Sequence, residues 1–189
     1  MNSILSCLSL VTSKLNEANI KYGIGGSLLL YSYGLVSTCN DIDILFNDKD
    51  YEAVKNLFVC DIYYEKQSEH PLYKTSHMIE LKINGIEIDM MFDFKIAFDE
   101  YSYVYKLLTN KRLINGVIFD FSLLEDWYLI YQLIPRREEK VKLIEDYFLT
   151  SKNINFNQYH LLIDSQIPNG IRARMTSLVT IITDHNFDF

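Results

Sequence analysis

Asp41 and Asp43 stand two residues apart in an otherwise apolar run, Asp41-Ile-Asp-Ile-Leu-Phe46. Side chains at i and i+2 of an extended chain share a face, so this strand points both carboxylates one way and both isoleucines the other. Two like charges about 6 Å apart repel by about 3 kcal/mol at an effective dielectric near 20. A divalent cation is the natural compensation. Upstream lies Tyr22-Gly-Ile-Gly-Gly-Ser27, a glycine turn that opens an apolar helix. Gly25 and Gly26 let backbone amides approach a phosphate with no side chain in the way. Ser27 can donate its hydroxyl, and the helix it opens turns its positive end to an anion. Metal-binding carboxylates beside a small-residue turn point to a site for a nucleotide delivered with its metal.

A second acidic strand follows, Gly85-Ile-Glu-Ile-Asp-Met-Met-Phe92. It repeats the alternation of carboxylate and isoleucine: Glu87, Asp89 and Met91 share one face, and Ile86, Ile88 and Met90 the other. If the two strands are neighbours, three or four carboxylates converge, the oxygen ligand set of one or two Mg²⁺ ions. Of Glu87 and Asp89, one is a bystander, and Asp89 is the favoured ligand.

Other chemistries find less support. Gly23-x-Gly25 is followed by Leu28 where a dinucleotide fingerprint needs its third glycine, and no Gly-Lys-Ser/Thr of a P-loop occurs. His70, His77, His160 and His185 show no metal-ligand spacing and read as surface or packing residues. Cys7, Cys39 and Cys60 form no C-x-x-C pair and are odd in number, the pattern of a reduced, cytoplasmic protein. A net charge of −7 argues against a broad nucleic-acid surface and suits a cationic small molecule, a metal-bound nucleotide or a protein partner. No apolar run reaches the ~18 residues that span a bilayer.

The elements that must position these groups can be read from periodicity and turns. Ile4, Leu5, Leu8, Val11, Leu15 and Ala18 give an amphipathic helix over 3–19. A short strand over 20–25 runs into the glycines, and Ser27 to Tyr33 is a helix that Gly34 ends. Asp41 to Phe46 is a strand, Asn47-Asp48 cap a helix reaching Phe58, and 60–66 is a further candidate strand. Asn84-Gly85 joins runs 73–83 and 86–93 as a hairpin, and Asn115-Gly116 marks a second. Residues 96–109 read as helix or irregular chain. Beyond Phe121 the pattern turns helical: Ser122-Leu-Leu-Glu125 reads as a capping box, Pro135 as a stop, and further helices follow over 136–150, 157–166 and 171–183. The expected class is α+β, a mixed twisted sheet with flanking helices over 1–121 and a C-terminal helical region over 122–189.

Gly26-Ser27, then Asp41-x-Asp43 among apolar residues, then a later strand carrying Asp89, resembles the DNA polymerase β-type nucleotidyltransferase superfamily. The closest likeness is its small bacterial branch, with antibiotic nucleotidyltransferases and the minimal nucleotidyltransferases of toxin–antitoxin systems. The resemblance covers residues 20–93 and the tail only loosely. It implies the nucleotidyltransferase fold and Mg²⁺-dependent transfer of a nucleoside monophosphate from an NTP to a hydroxyl acceptor, with release of pyrophosphate. Asp41, Asp43 and Asp89 would be the catalytic, metal-binding triad, Asp89 assisting deprotonation of the acceptor. Gly25, Gly26 and Ser27 would bind the nucleotide. The acceptor expected of an acidic member is a cationic antibiotic-like molecule. A partner-protein hydroxyl, or a catalytically silent binding module on the same fold, is the alternative.

Two departures stand out. Relatives often carry Arg immediately before the first aspartate, where this chain has Asn40. They also carry a later Arg/Lys helix. Arg136, Arg137 and Lys140 could supply it, with Arg137 and Lys140 as nucleotide ligands, although the usual acidic residue after the lysine is missing. Their alternation with Glu138 and Glu139 equally describes a solvated helix face.

Overall fold

The computed structural model describes residues 1–66 and 70–184. Two compact units emerge, one comprising residues 1–95 and 104–123, the other 96–103 and 124–184 among those described.

The first unit is built on a seven-stranded mixed sheet. Helix α1 (Asn2–Glu17) buries Ile4, Leu5, Leu8, Val11 and Leu15 along one stripe, as its sequence spacing requires. Strand β1 (Gly23–Ile24) passes through the glycine turn into α2 (Gly26–Ser32). Strand β2 (Asp41–Phe46) follows. A 3-10 turn at Asp48–Asp50 then starts α3 (Tyr51–Leu57), so the helix expected from Asn47 begins as a tighter coil. Strands β3 (Ile62–Lys66), β4 (His77–Ile83) and β5 (Ile86–Phe92) come next, and β8 (Thr109–Ile114) and β9 (Val117–Ser122) complete the sheet in the order β3-β4-β5-β2-β1-β9-β8.

Both Asn-Gly hairpins form as the sequence dictates. Asn84 and Gly85 take φ of 52° and 81°, and Asn115 and Gly116 take 49° and 80°, the left-handed pair that matches the twist of a two-residue turn. The β2 and β5 isoleucines all point to one face. Ile42, Ile44 and Ile88 are fully buried there, and α1 packs on β2 and β5. The opposite face carries the carboxylates.

Residues 96–109 correct the helical or irregular expectation. They contain β6 (Lys95–Phe98, starting one residue earlier) and β7 (Tyr101–Val104), a separate two-stranded hairpin. Its turn is Asp99-Glu100, with Asp99 at φ 47°. Aspartate tolerates that conformation, yet Asp-Glu carries none of the glycine signal that marks the other two hairpins.

Among the described residues the second unit holds four helices: α4 (Leu124–Leu133), α5 (Glu138–Ser151), α6 (Phe156–Asp164) and α7 (Asn169–Asp184). Tyr128, Phe148 and Tyr159 form its aromatic centre, with Tyr128 stacked on Tyr159 at 6.0 Å and edge-on to Phe148 at 5.9 Å. The expected capping box does not form as such. Ser122 closes strand β9, where its hydroxyl accepts from Tyr105, and Glu125 instead accepts the Asn155 amide at 2.7 Å. Among the described residues no helix is long and apolar enough to cross a membrane.

Candidate active site

The carboxylate face follows from strand register. β2 and β5 run parallel, with Asp41 opposite Glu87 and Asp43 opposite Asp89. β4 runs antiparallel on the far side of β5, with Glu80 opposite Asp89 and Lys82 opposite Glu87. Directly opposed residues project to the same side. Two rows therefore cross three strands, Asp43–Asp89–Glu80 and Asp41–Glu87–Lys82.

The two rows differ in character. In the second, Lys82 Nζ lies 3.9 Å from Glu87 Oε1, and the Glu87 side chain is 73% exposed. Glu87 is a solvated rim group with its own cation. In the first, no lysine interrupts the three carboxylates. The Asp89 carboxyl is pushed up to about 6, first by burial and then by the negative charges of Glu80, Asp41 and Glu87. Sequence reasoning missed Glu80. The signal was present, because a two-residue turn at Asn84-Gly85 already fixes which residues of the two arms face each other.

The glycine turn touches this face directly. Gly25 donates its backbone N–H to the Asp43 carbonyl at 2.9 Å, which ties the turn to β2. Gly26 has φ +58°, and a methyl group built there would overlap Asp43 Oδ2 and stand 2.7 Å from its Cγ. Glycine is required at position 26 on both counts. Ser27 follows, half-buried in the first turn of α2. Thus Gly25, Gly26, Ser27, Asp41, Asp43 and Asp89 lie on one contiguous part of the first unit.

Arg137 and Lys140 belong to the second unit. Arg137 is exposed at the N-cap of α5, and Lys140 Nζ sits over the Tyr131 ring at 4.9 Å. His70 and His77 have structural partners. His70 Nδ1 accepts the Leu72 and Tyr73 amides, and His77 stacks on Tyr51 at 3.9 Å with Nδ1 2.7 Å from Asp48. His160 is exposed, and His185 lies outside the described residues. Cys7 and Cys39 are buried and Cys60 is exposed, and among the described residues none of the three is in a disulfide.

As a home for a cation, the carboxylates of this face offer oxygen donors, the type preferred by Mg²⁺. Among the described residues no three His, Cys, Asp or Glu side chains close into a cage.

Comparison with solved structures gives the architecture its context. A candidate nucleotidyltransferase from Thermotoga maritima superposes with a TM-score of 0.65 at 18% identity, over 80% of this chain and 95% of that one. ANT(2″)-Ia, solved in complex with adenylyl-2″-tobramycin, superposes at 0.55 and 13% identity, over 93% of this chain and 98% of that one. The solution structure of the same antibiotic-resistance factor gives 0.56 and 14%, over 100% and 99%. The chain has their fold. No family model and no curated protein sequence matches it. At these identities the nucleotidyltransferase fold is what the likeness carries.

Proposed function

We propose that the protein is a Mg²⁺-dependent nucleotidyltransferase that moves a nucleoside monophosphate from an NTP to a hydroxyl acceptor. The observation that carries this reading is the row of Asp43 and Asp89 in register, with the Gly26 turn against the Asp43 carboxylate. Phosphoryl-type transfer asks a protein mainly for positioning and charge stabilisation, and this face offers both.

In this reading Asp41 and Asp43 are the principal metal ligands, and Asp89 is shared between metal binding and the acceptor. Bound Mg²⁺ would supply neutralisation of the triphosphate and of the departing pyrophosphate. Gly26 presents its backbone N–H to the phosphates, Gly25 holds the turn against β2 through its bond to the Asp43 carbonyl, and Ser27 adds its hydroxyl. Because α2 is only seven residues long, the turn and metal are asked to do more than the helix dipole.

The acceptor oxygen attacks the α-phosphorus, the bond from that phosphorus to the bridging oxygen breaks, and pyrophosphate leaves with the electron pair. The acceptor proton goes to Asp89, whose raised proton affinity suits a general base near neutral pH. Three carboxylates in one row, in a protein of net charge −7, favour a cationic acceptor. ANT(2″)-Ia bound to adenylyl-tobramycin supports a small aminated sugar as the first class to try.

The test is label transfer from each α-labelled NTP with Mg²⁺ to aminoglycosides, lincosamides, lysate protein and tRNA. Transfer to an aminated small molecule, lost in Asp43→Asn, is the expected result. Transfer to protein alone would move the acceptor to the antitoxin-like class. No transfer together with no nucleotide-dependent rise in melting temperature would overturn the enzymatic reading.

A further inference from the structure

We propose that Arg112, on the edge strand β8, is a positioning residue for the acidic face, acting through the C-terminus of α2. This inference rests on the nucleotidyltransferase reading of that face. Helix α2 has the candidate site at both ends. Its N-terminus is the Gly25-Gly26-Ser27 turn, and the chain leaving its C-terminus runs through residues 33–40 into Asp41. Whatever fixes α2 along its axis fixes the phosphate turn and the entry to β2 together.

The C-terminus of α2 is closed by three separate devices. Gly34, at φ +73°, donates its N–H to the Tyr31 carbonyl at 2.9 Å, and Leu35 donates to the Leu30 carbonyl at 3.0 Å. These are the paired bonds of a Schellman cap. The Ser32 hydroxyl returns to the Leu29 carbonyl at 2.7 Å. The Ser32 carbonyl belongs to neither set, and Arg112 Nη2, eighty residues away in sequence, donates to it at 2.7 Å. A cation at this end also complements the helix dipole.

The same guanidinium lies over the Tyr33 ring, with Cζ 3.5 Å from the ring centroid. Among the described residues its buried Nε meets no hydrogen-bond acceptor. The ring face therefore stands where an acceptor would otherwise be needed, a cation–π contact in place of a hydrogen bond. Arg112 thus grips the last residue of α2 and the first residue beyond it. A surface arginine devoted to solubility would not give up an Nε–H in this way.

The strand that carries Arg112 is an edge strand, where a cation also discourages pairing with another chain. That role needs no Ser32 bond and no Tyr33 stack, and Lys111 beside it already supplies an edge charge, paired with Asp120 at 3.0 Å. The geometry accordingly points inward, to α2, rather than outward.

The test compares wild type with Arg112→Ala, Arg112→Lys and Tyr33→Leu. Amide hydrogen exchange on the unliganded protein reports the clamp itself. Exchange across residues 33–40 is expected to quicken about tenfold in Arg112→Ala, as loss of a charge-assisted bond implies, with the strands β4 and β5 unchanged. Arg112→Lys, which keeps a donor and a charge, should restore part of that protection. Transfer activity reports the consequence. The Mg²⁺ concentration giving half-maximal rate should rise about tenfold in Arg112→Ala with the acceptor KM unchanged, and excess Mg²⁺ should recover the rate. Tyr33→Leu, which spares the Ser32 bond, should fall between wild type and alanine. Unchanged exchange at 33–40, or a uniform loss of protection across the unit, overturns the clamp. Raised exchange with an unaltered Mg²⁺ requirement overturns its link to the site. A wild-type protein that shows neither transfer nor nucleotide binding overturns the enzymatic reading instead, and with it that link, while the exchange result still judges the clamp.

Discussion

The Asp43 carboxylate occupies the space that any side chain on Gly26 would need. The second aspartate of β2 therefore fixes the residue of the turn, and position 26 cannot gain a side chain while Asp43 keeps its place. Gly26→Ala combines a left-handed backbone cost of about 1–2 kcal/mol with eviction of Asp43 from its place. In a chain of this size each kcal/mol lowers the melting temperature by about 2–4 °C. The expected outcome is a melting point reduced by about 4 °C or more and loss of any MgATP-induced stabilisation. Adding Asp43→Ala should return the part due to the collision and leave the backbone part, a non-additivity that a double-mutant cycle measures. An alanine variant with the wild-type response to MgATP would dispose of the idea.

Asp89 gives a pH signature. Its carboxyl is raised from about 3.8 to about 6 in the folded protein, so the folded state holds its proton more tightly than the unfolded chain. Stability from this group is full below the unfolded value, is lost as pH rises through the folded one, and is flat above it. Asp89→Asn should therefore match wild type near pH 4 and be more stable above pH 6, by about 1–2 kcal/mol after allowing for its partial exposure. Urea unfolding at the two pH values reads the difference. The same variant should lose transfer, so gain in stability and loss of activity arise from one substitution. Mg²⁺ should narrow the stability gap by stabilising wild type alone.

Much of this face was legible because it is local. Alternation placed Asp41 with Asp43 and Glu87 with Asp89, Asn84-Gly85 and Asn115-Gly116 named their hairpins, and Gly34 marked the end of α2. What escaped has a physical reason in each case. The hairpin over 95–104 turns on Asp99-Glu100, whose left-handed aspartate has no glycine beside it to announce it. Ser122 has the local sequence of a helix cap because Glu125 stands three residues on, but it ends strand β9 and accepts from the Tyr105 hydroxyl there. Arg112 meets Ser32 across eighty residues, a contact that no local pattern encodes. Glu80 lies between these cases, since hairpin register would have placed it beside Asp89 had that register been followed outward.

Glu87 and Asp89, two residues apart on one face, should behave as opposites. Glu87 is exposed and faces Lys82 at 3.9 Å, a distance and setting worth little in water. Glu87→Gln is expected to change stability by less than about 0.5 kcal/mol and transfer by no more than about twofold. The two rates, measured side by side with Asp89→Asn at saturating Mg²⁺, test the division of labour between the rows. A loss in Glu87→Gln comparable to that in Asp89→Asn would make Glu87 a ligand and not a rim charge.

A second buried acid, Asp126 at the start of α4, has no assigned part in transfer and offers a clean test of the helical unit. It is 1% exposed, and its Oδ1 accepts from Gln158 Nε2 at 2.7 Å and from the Tyr103 hydroxyl at 3.1 Å, while Oδ2 is buried with no partner among the described residues. Burial pushes the carboxyl up to about 7, the two hydrogen bonds oppose that, and neighbouring Glu125 adds to it. The sign is that of Asp89, with the loss of stability spread from about pH 4 to about pH 7. Asp126→Asn keeps an oxygen acceptor for both donors and removes the charge. It should leave stability near pH 4 little changed and raise it at pH 8 by on the order of 2–4 kcal/mol, read from urea midpoints at both pH values. Destabilisation at pH 8 would mean that the carboxylate is stabilised there by something stronger than Gln158 and Tyr103, and that burial does not govern its proton.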